Sequence, residues 1–208
     1  MTARSAPRTA RARSSHRSVR GRRGPRRARP VALTGTPGVG KSAVAGALTP
    51  RWTVVEVADL ALRTGTGRRT RRGVLVDLDR LRAALRRDPD AVGSADIVVG
   101  HLAHLLPVRE AIVLRCHPLA LGRRLARVRR GTRRDRAENV VSEALDLVLV
   151  EALGERLPVF EVDTTGKHVA EVALEVDRHL RRRGPPRHGR VRWLADPAVT
   201  AHLLEGTG

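Results

Sequence analysis

Five short apolar runs punctuate the chain: Val31-Ala-Leu-Thr34 and residues 53–57, 96–99, 111–114 and 159–162. Each is rich in Val, Ile or Leu and is bounded by turn or polar residues, which predicts buried strands. The stretches between them carry helical signals. A helix is predicted from Lys41 to Leu48, where Thr49-Pro50 stops it. Leu81 and Leu85 have helical spacing within residues 79–87, and residues 118–129 give another helix. Residues 135–153 read as one long helix with Val141, Ala144, Val148 and Ala152 on a shared face, and residues 169–182 as a last one before Gly184-Pro-Pro186. Residues 58–73 are rich in Gly, Thr and Arg without an apolar period. They read as a mobile insertion that begins with a short helix, followed by an extended or helical lead-in at 74–78. Strands alternating with helices predict an α/β fold, a five-stranded parallel sheet with helices on both faces. The core domain is expected over residues 30–183, with 184–208 as a tail.

Charge changes the picture at one end. Lys and Arg number 41 against 21 acidic residues, a formal charge of +20 that draws a chain towards phosphate-rich partners such as RNA. Residues 1–29 hold eleven Arg and no acid. Such a basic, acid-poor extension is expected to be disordered, and a transit peptide, an RNA-binding arm and a stretch ahead of the true start all fit it. No run of 18 apolar residues occurs, so a membrane protein is not expected. Cys116 is the lone cysteine, expected as a buried thiol in a reducing, cytoplasmic setting.

The strongest chemistry lies directly after the first strand. Gly35-Thr-Pro-Gly-Val-Gly-Lys41-Ser42 fits the G-x-x-x-x-G-K-[ST] phosphate loop in full. Glycines let the backbone wind around phosphates, the loop and helix N–H groups point at them, Lys41 reaches the β- and γ-phosphates and the Ser42 hydroxyl holds magnesium. One of only two lysines in this Arg-dominated chain stands here, and the other is Lys167. ATP and Mg2+ are the expected ligands. The loop alone does not choose among NTPases, but no N-K-x-D guanine motif is present and the chain is short for a motor. A basic insertion that could bind an acceptor, and an Arg-rich crossing after the fourth strand that could close over ATP, favour a small kinase.

Further segments occur in a familiar order: Gly100-His-Leu-Ala-His-Leu-Leu106, Val113-Leu-Arg-Cys-His-Pro118, Glu138-Asn-Val-Val-Ser-Glu-Ala-Leu145 and Asp163-Thr-Thr-Gly-Lys167. With the phosphate loop they resemble the archaeal members of the adenylate-kinase-like NMP kinase family, related to the eukaryotic nuclear adenylate kinase. The resemblance covers residues 30–180. It implies the P-loop NTPase fold with an NMP-binding insertion at about 56–78 and a short lid. It also implies broad-specificity NMP kinase activity with AMP as the expected acceptor, an additional ATPase activity, and a role in small ribosomal subunit maturation and rRNA processing. The implied partners are a small-subunit ribosomal protein and the pre-ribosomal particle, with direct RNA contact through the basic surface as a further candidate. By the same resemblance Gly38, Val39, Gly40, Lys41, Ser42 and Ala43 contact ATP, Arg130 is the lid arginine, Lys167 lies beside the adenine and His101 is a functional histidine.

Other residues keep two readings. Arg133, Arg134 and Arg136 are lid candidates or a solvated basic loop. Arg63 and Arg68 could hold an NMP phosphate, and Asp59, Asp77 and Asp79 could contact a nucleoside or water or merely cap helices. His104 reads as structural, and no acid or cysteine completes a metal site with His101. Two departures from the family pattern stand out: Val99 replaces the acid two residues before His101, and Thr132 replaces a lid aromatic. The missing acid predicts near-normal nucleotide binding with slowed catalysis. Two alternatives therefore stand beside the kinase: an assembly ATPase with little kinase activity, and an inactive ATP-binding relative.

Overall fold

The computed structural model describes residues 28–71, 73–128 and 131–205. The five apolar runs become the strands β1 (Val31–Thr34), β2 (Val54–Glu56), β5 (Ile97–Val99), β6 (Glu110–Arg115) and β7 (Val159–Asp163). They form one parallel sheet in the order β2-β5-β1-β6-β7. A parallel sheet covered on both sides needs strands apolar on both sides, and every residue of β1 and β5 is buried.

The two faces collect two cores. Val31, Leu33, Ile97, Val99, Ile112 and Leu114 meet α1 (Lys41–Leu48), α4 (Pro118–Arg127) and α7 (Val169–Arg182). Ala32, Val98, Ala111 and Val113 meet α2 (Val57–Arg63), α3 (Leu78–Arg87) and α6 (Leu147–Gly154) on the other face. Alternation along each strand deals successive residues to opposite sides, which is why both cores draw on the same strands.

Two expectations are corrected. Residues 58–73 do not lack regular structure after their short helix: β3 (Gly67–Thr70) and β4 (Gly73–Val76) pair as an antiparallel hairpin against α2, with Gly67 opposite Val76. The long helix is broken in two, α5 (Arg133–Ala144) and α6, at Asp146, whose φ of 57° is left-handed. The Asp146 carboxylate accepts a hydrogen bond from the buried Arg115 guanidinium, and that pairing sets the break. The buried face shifts with it: Val140 is covered and Val141 is 41% exposed.

The tail carries structure of its own up to residue 205. Arg187 bridges to Phe160 of β7, a 3-10 turn spans Trp193–Ala195, and α8 covers Pro197–Glu205. Among the described residues no helix is long and apolar enough to cross a membrane. The basic extension falls outside the described residues except for its last two.

Candidate nucleotide site

The loop between β1 and α1 stands at the carboxyl ends of the central strands. Gly35 has φ 138°, and a Cβ there would lie 2.3 Å from the Leu114 carbonyl oxygen, so only glycine allows the loop to leave β1 against β6. Gly40 caps α1 in a left-handed conformation, and an added Cβ would meet nothing within 4 Å. The loop leads directly into the N–H groups that begin α1, the kind of backbone donors that a phosphate needs. The side chain of Lys41 folds back over the loop and donates to the carbonyls of Gly35 at 2.7 Å and Thr36 at 3.0 Å. Ser42 and Ala43 are exposed at the first turn of α1, while Val39 is fully buried and anchors the loop.

Several residues unremarked in the sequence hold this loop. Thr36 is buried and donates to Glu143 Oε2 at 2.5 Å. Oε1 of the same carboxylate accepts from Arg115 Nε at 2.9 Å, from the Cys116 amide at 3.0 Å and from Trp193 Nε1 at 3.1 Å. Arg115 also donates to Glu161 Oε1 at 2.7 Å. Burial alone would lower the Arg115 pKa, but Glu143 and Asp146 overcome it and raise it. Burial likewise raises the Cys116 thiol, which stays protonated and inert. On the other flank the Thr164 hydroxyl lies 3.1 Å from the Val39 carbonyl and 2.8 Å from that of Arg115, so the loop after β7 is fastened to the phosphate loop. Arg124 of α4 donates to the Thr164 carbonyl at 2.9 Å and thereby borders the same corner. Sequence could have raised Arg124 only as one Arg among many, and Glu143 only as one Glu on a helix.

His101 follows β5 in a turn, and its backbone carbonyl lies 3.3 Å from the Thr34 hydroxyl. Its imidazole pKa is lowered, first by partial loss of hydration and next by the Lys41 ammonium. His104 is fully buried, with Nδ1 2.9 Å from Thr34 Oγ1 and Nε2 3.0 Å from Glu151 Oε2, a structural bridge. Lys167 sits in the loop after β7, and its ammonium pairs with Glu175 at 3.1 Å. Arg130 lies outside the described residues. Near it, the Thr132 side chain and Asp135 form a reciprocal cap that starts α5, the exposed Arg134 pairs with Glu138, and Arg136 donates to the Gly131 carbonyl. Arg63 and Arg68 are exposed on α2 and the hairpin, and Asp77 caps α3 by accepting from the Arg80 amide at 3.0 Å.

Val99 is buried in the apolar core, so no acid stands at that position. Asp96 is held at the opposite end of β5, accepting from the Thr53 amide at 2.9 Å. Glu56 is different. It ends β2 directly opposite Val99 in the parallel register, and paired residues present their side chains to the same face. It is exposed at the carboxyl edge of the sheet, on the face that carries α1. Strand order, invisible in sequence, is what brings it there. Among the described residues no group of three or more His, Cys, Asp and Glu is placed to hold a metal by itself. The residues present instead suit a cation held largely by phosphate oxygens, with one hydroxyl from the protein.

The chain is similar to known proteins over most of its length. Residues 31–146 match a family profile described as an AAA domain. A protein of Thermococcus onnurineus called "Putative adenylate kinase" is 38% identical over 179 residues, covering 85% of this chain and 98% of the relative. Proteins given the same name in Thermococcus kodakarensis and Archaeoglobus fulgidus are 40% and 41% identical over 166 and 174 residues, with 78% and 80% of this chain and 92% of each relative covered.

Proposed function

Because the chain belongs to the family of these archaeal adenylate-kinase-like proteins, we propose that it transfers the γ-phosphoryl group of ATP to a nucleoside monophosphate, with AMP as the acceptor. The observation that carries this reading is the glycine-walled loop opening onto the start of α1, with Lys41 folded across it. The loop amides and Lys41 bind the β- and γ-phosphates, and Lys41 exchanges its two carbonyl partners for phosphate oxygens. Ser42 would be the protein ligand for magnesium, and Glu56, paired with Val99 on the neighbouring strand, would supply a carboxylate towards the ion. Magnesium, when bound, neutralises charge on the β- and γ-phosphates. Residues of α2 and the β3–β4 hairpin, with Arg63 and Arg68, receive the acceptor. An oxygen of its phosphate bonds to the γ-phosphorus as the bond from that phosphorus to the bridging oxygen breaks, giving two ADP. Positioning and charge neutralisation are the whole task, which suits a lid arginine at 130 and a neutral His101 at the mouth. Arg124 and the loop of Lys167 border the base.

The resemblance also carries an ATPase activity and a part in small ribosomal subunit maturation. A specific feature supports contact with RNA: a cleft of about 850 Å³ between the end of α1 and α7, lined by Arg51, Arg178, Arg181 and Arg182 around the single carboxylate Asp177, with Trp52 in its wall. Replacing Arg178, Arg181 and Arg182 by Ser should weaken RNA binding and flatten its salt dependence, leaving nucleotide turnover unchanged.

The deciding assay incubates the full chain with magnesium and ATP, with and without AMP, against Lys41→Ala. ADP formation that needs AMP, without free phosphate, establishes the kinase. Phosphate release indifferent to AMP favours the ATPase, and activity retained by Lys41→Ala overturns the site itself.

A further inference from the structure

The carboxyl-terminal segment lies beyond the residues matched by the family profile, yet it reaches the phosphate loop through one intervening side chain. Trp193 donates to Glu143 Oε1, and Glu143 Oε2 receives the hydroxyl of Thr36. Thr36 in turn lends its backbone carbonyl to Lys41. A second strap runs beside the first. The Trp193 indole meets the His117 ring edge-on at 5.1 Å, His117 Nε2 lies 2.9 Å from Asp196, and the His117 amide donates to Thr165 in the loop after β7. The segment is thus tied to both walls that flank the loop. Glu143 is 2% exposed, and among the described residues the other donors to its carboxylate, Thr36, Arg115 and Cys116, all belong to the domain itself.

We propose that Trp193 and Glu143 are positioning residues for the nucleotide site: the tail, through the indole N–H and the Glu143 carboxylate, fixes Thr36 and with it the resting place of the Lys41 ammonium. The inference rests on the phosphate loop's being the triphosphate site. A hydrogen bond to a buried charge sets the angle of a carboxylate whose other oxygen holds the loop, so its loss acts on ATP before it acts on the acceptor. Neither residue touches substrate.

The experiment compares the full chain with Trp193→Phe, which keeps a ring against His117 but has no N–H to donate. Equilibrium binding of ATP, steady-state kinetics for both substrates and the melting temperature are measured on each. About a tenfold rise in Kd and KM for ATP is expected, from one charge-assisted bond, with KM for AMP little changed and a melting temperature lowered by at most a few degrees. Equal ATP affinity in the two proteins overturns the proposal, and so does a loss that scales with melting temperature across Trp193→Phe and Trp193→Ala. Since the chain has two tryptophans, Trp52→Phe leaves Trp193 as the sole indole, and its emission should change on adding ATP. A wild-type chain that binds no ATP would instead sink the reading of the site, and this inference with it.

Discussion

Val99 and Glu56 are paired on adjacent parallel strands, and under the function proposed above Glu56 supplies the acid that position 99 lacks. The expected consequence is compensation. Glu56→Gln should weaken the Mg2+ dependence of ATP binding, read by titrating Mn2+ into the ATP complex, and cut turnover by about tenfold. Val99→Asp in the Glu56→Gln background should restore the metal affinity, and failure of both to alter it would remove Glu56 from the site. The two histidines after β5 give a second prediction at this scale. Burial, countered in part by Glu151, depresses the His104 pKa below its ordinary 6.5, and His101 is depressed as well. Below 6.5 the unfolded chain binds protons that the folded chain refuses, so stability is complete above that pH and falls as the solution is acidified through the window beneath it. Melting temperatures between pH 7.5 and 5 should decline, and His104→Leu should flatten the slope even though it lowers the curve.

Among the elements, β6 carries an unusual burden, because Arg115 is 1% exposed and joins β7, α5 and the turn before α6 through Glu161, Glu143 and Asp146. Replacing Arg115 by Met leaves three carboxylates without their cation. The cost should be about 3–5 kcal/mol, seen as a lower urea midpoint. This same network explains what was legible beforehand. The strands were plain because burial on both faces writes them as unbroken apolar runs. The hairpin was hidden because β3 is Gly-Arg-Arg-Thr, with no apolar alternation to read. The break at Asp146 was hidden because an Asp on a helix surface looks ordinary until Arg115 is known to be beneath it. In the site, the phosphate loop announced itself through local spacing. Glu56, Glu143 and Arg124 did not, since each owes its place to strand order or to contact between distant segments.

Taken whole, the molecule does not end where its α/β core ends. The Arg187 carbonyl accepts from the Glu161 amide, the Arg190 amide lies 3.2 Å from Glu161 Oε2, and Trp193 closes on Glu143. A chain stopped after residue 183 therefore loses partners of two buried carboxylates. It should melt several degrees lower than the full chain, since about 1 kcal/mol shifts a domain of this size by a few degrees.

The strand order has a consequence for synthesis. β1 is made first, yet both its neighbours, β5 and β6, emerge more than sixty residues later. Until residue 99 has left the ribosome, the phosphate loop has a strand before it but nothing on either side to hold that strand, and until residue 115 it has a neighbour on one side only. Pairings so distant along the chain form slowly. The part most easily read in the sequence is thus among the last to become structure, and a nascent chain should acquire ATP affinity late and abruptly, when its carboxyl-terminal half arrives.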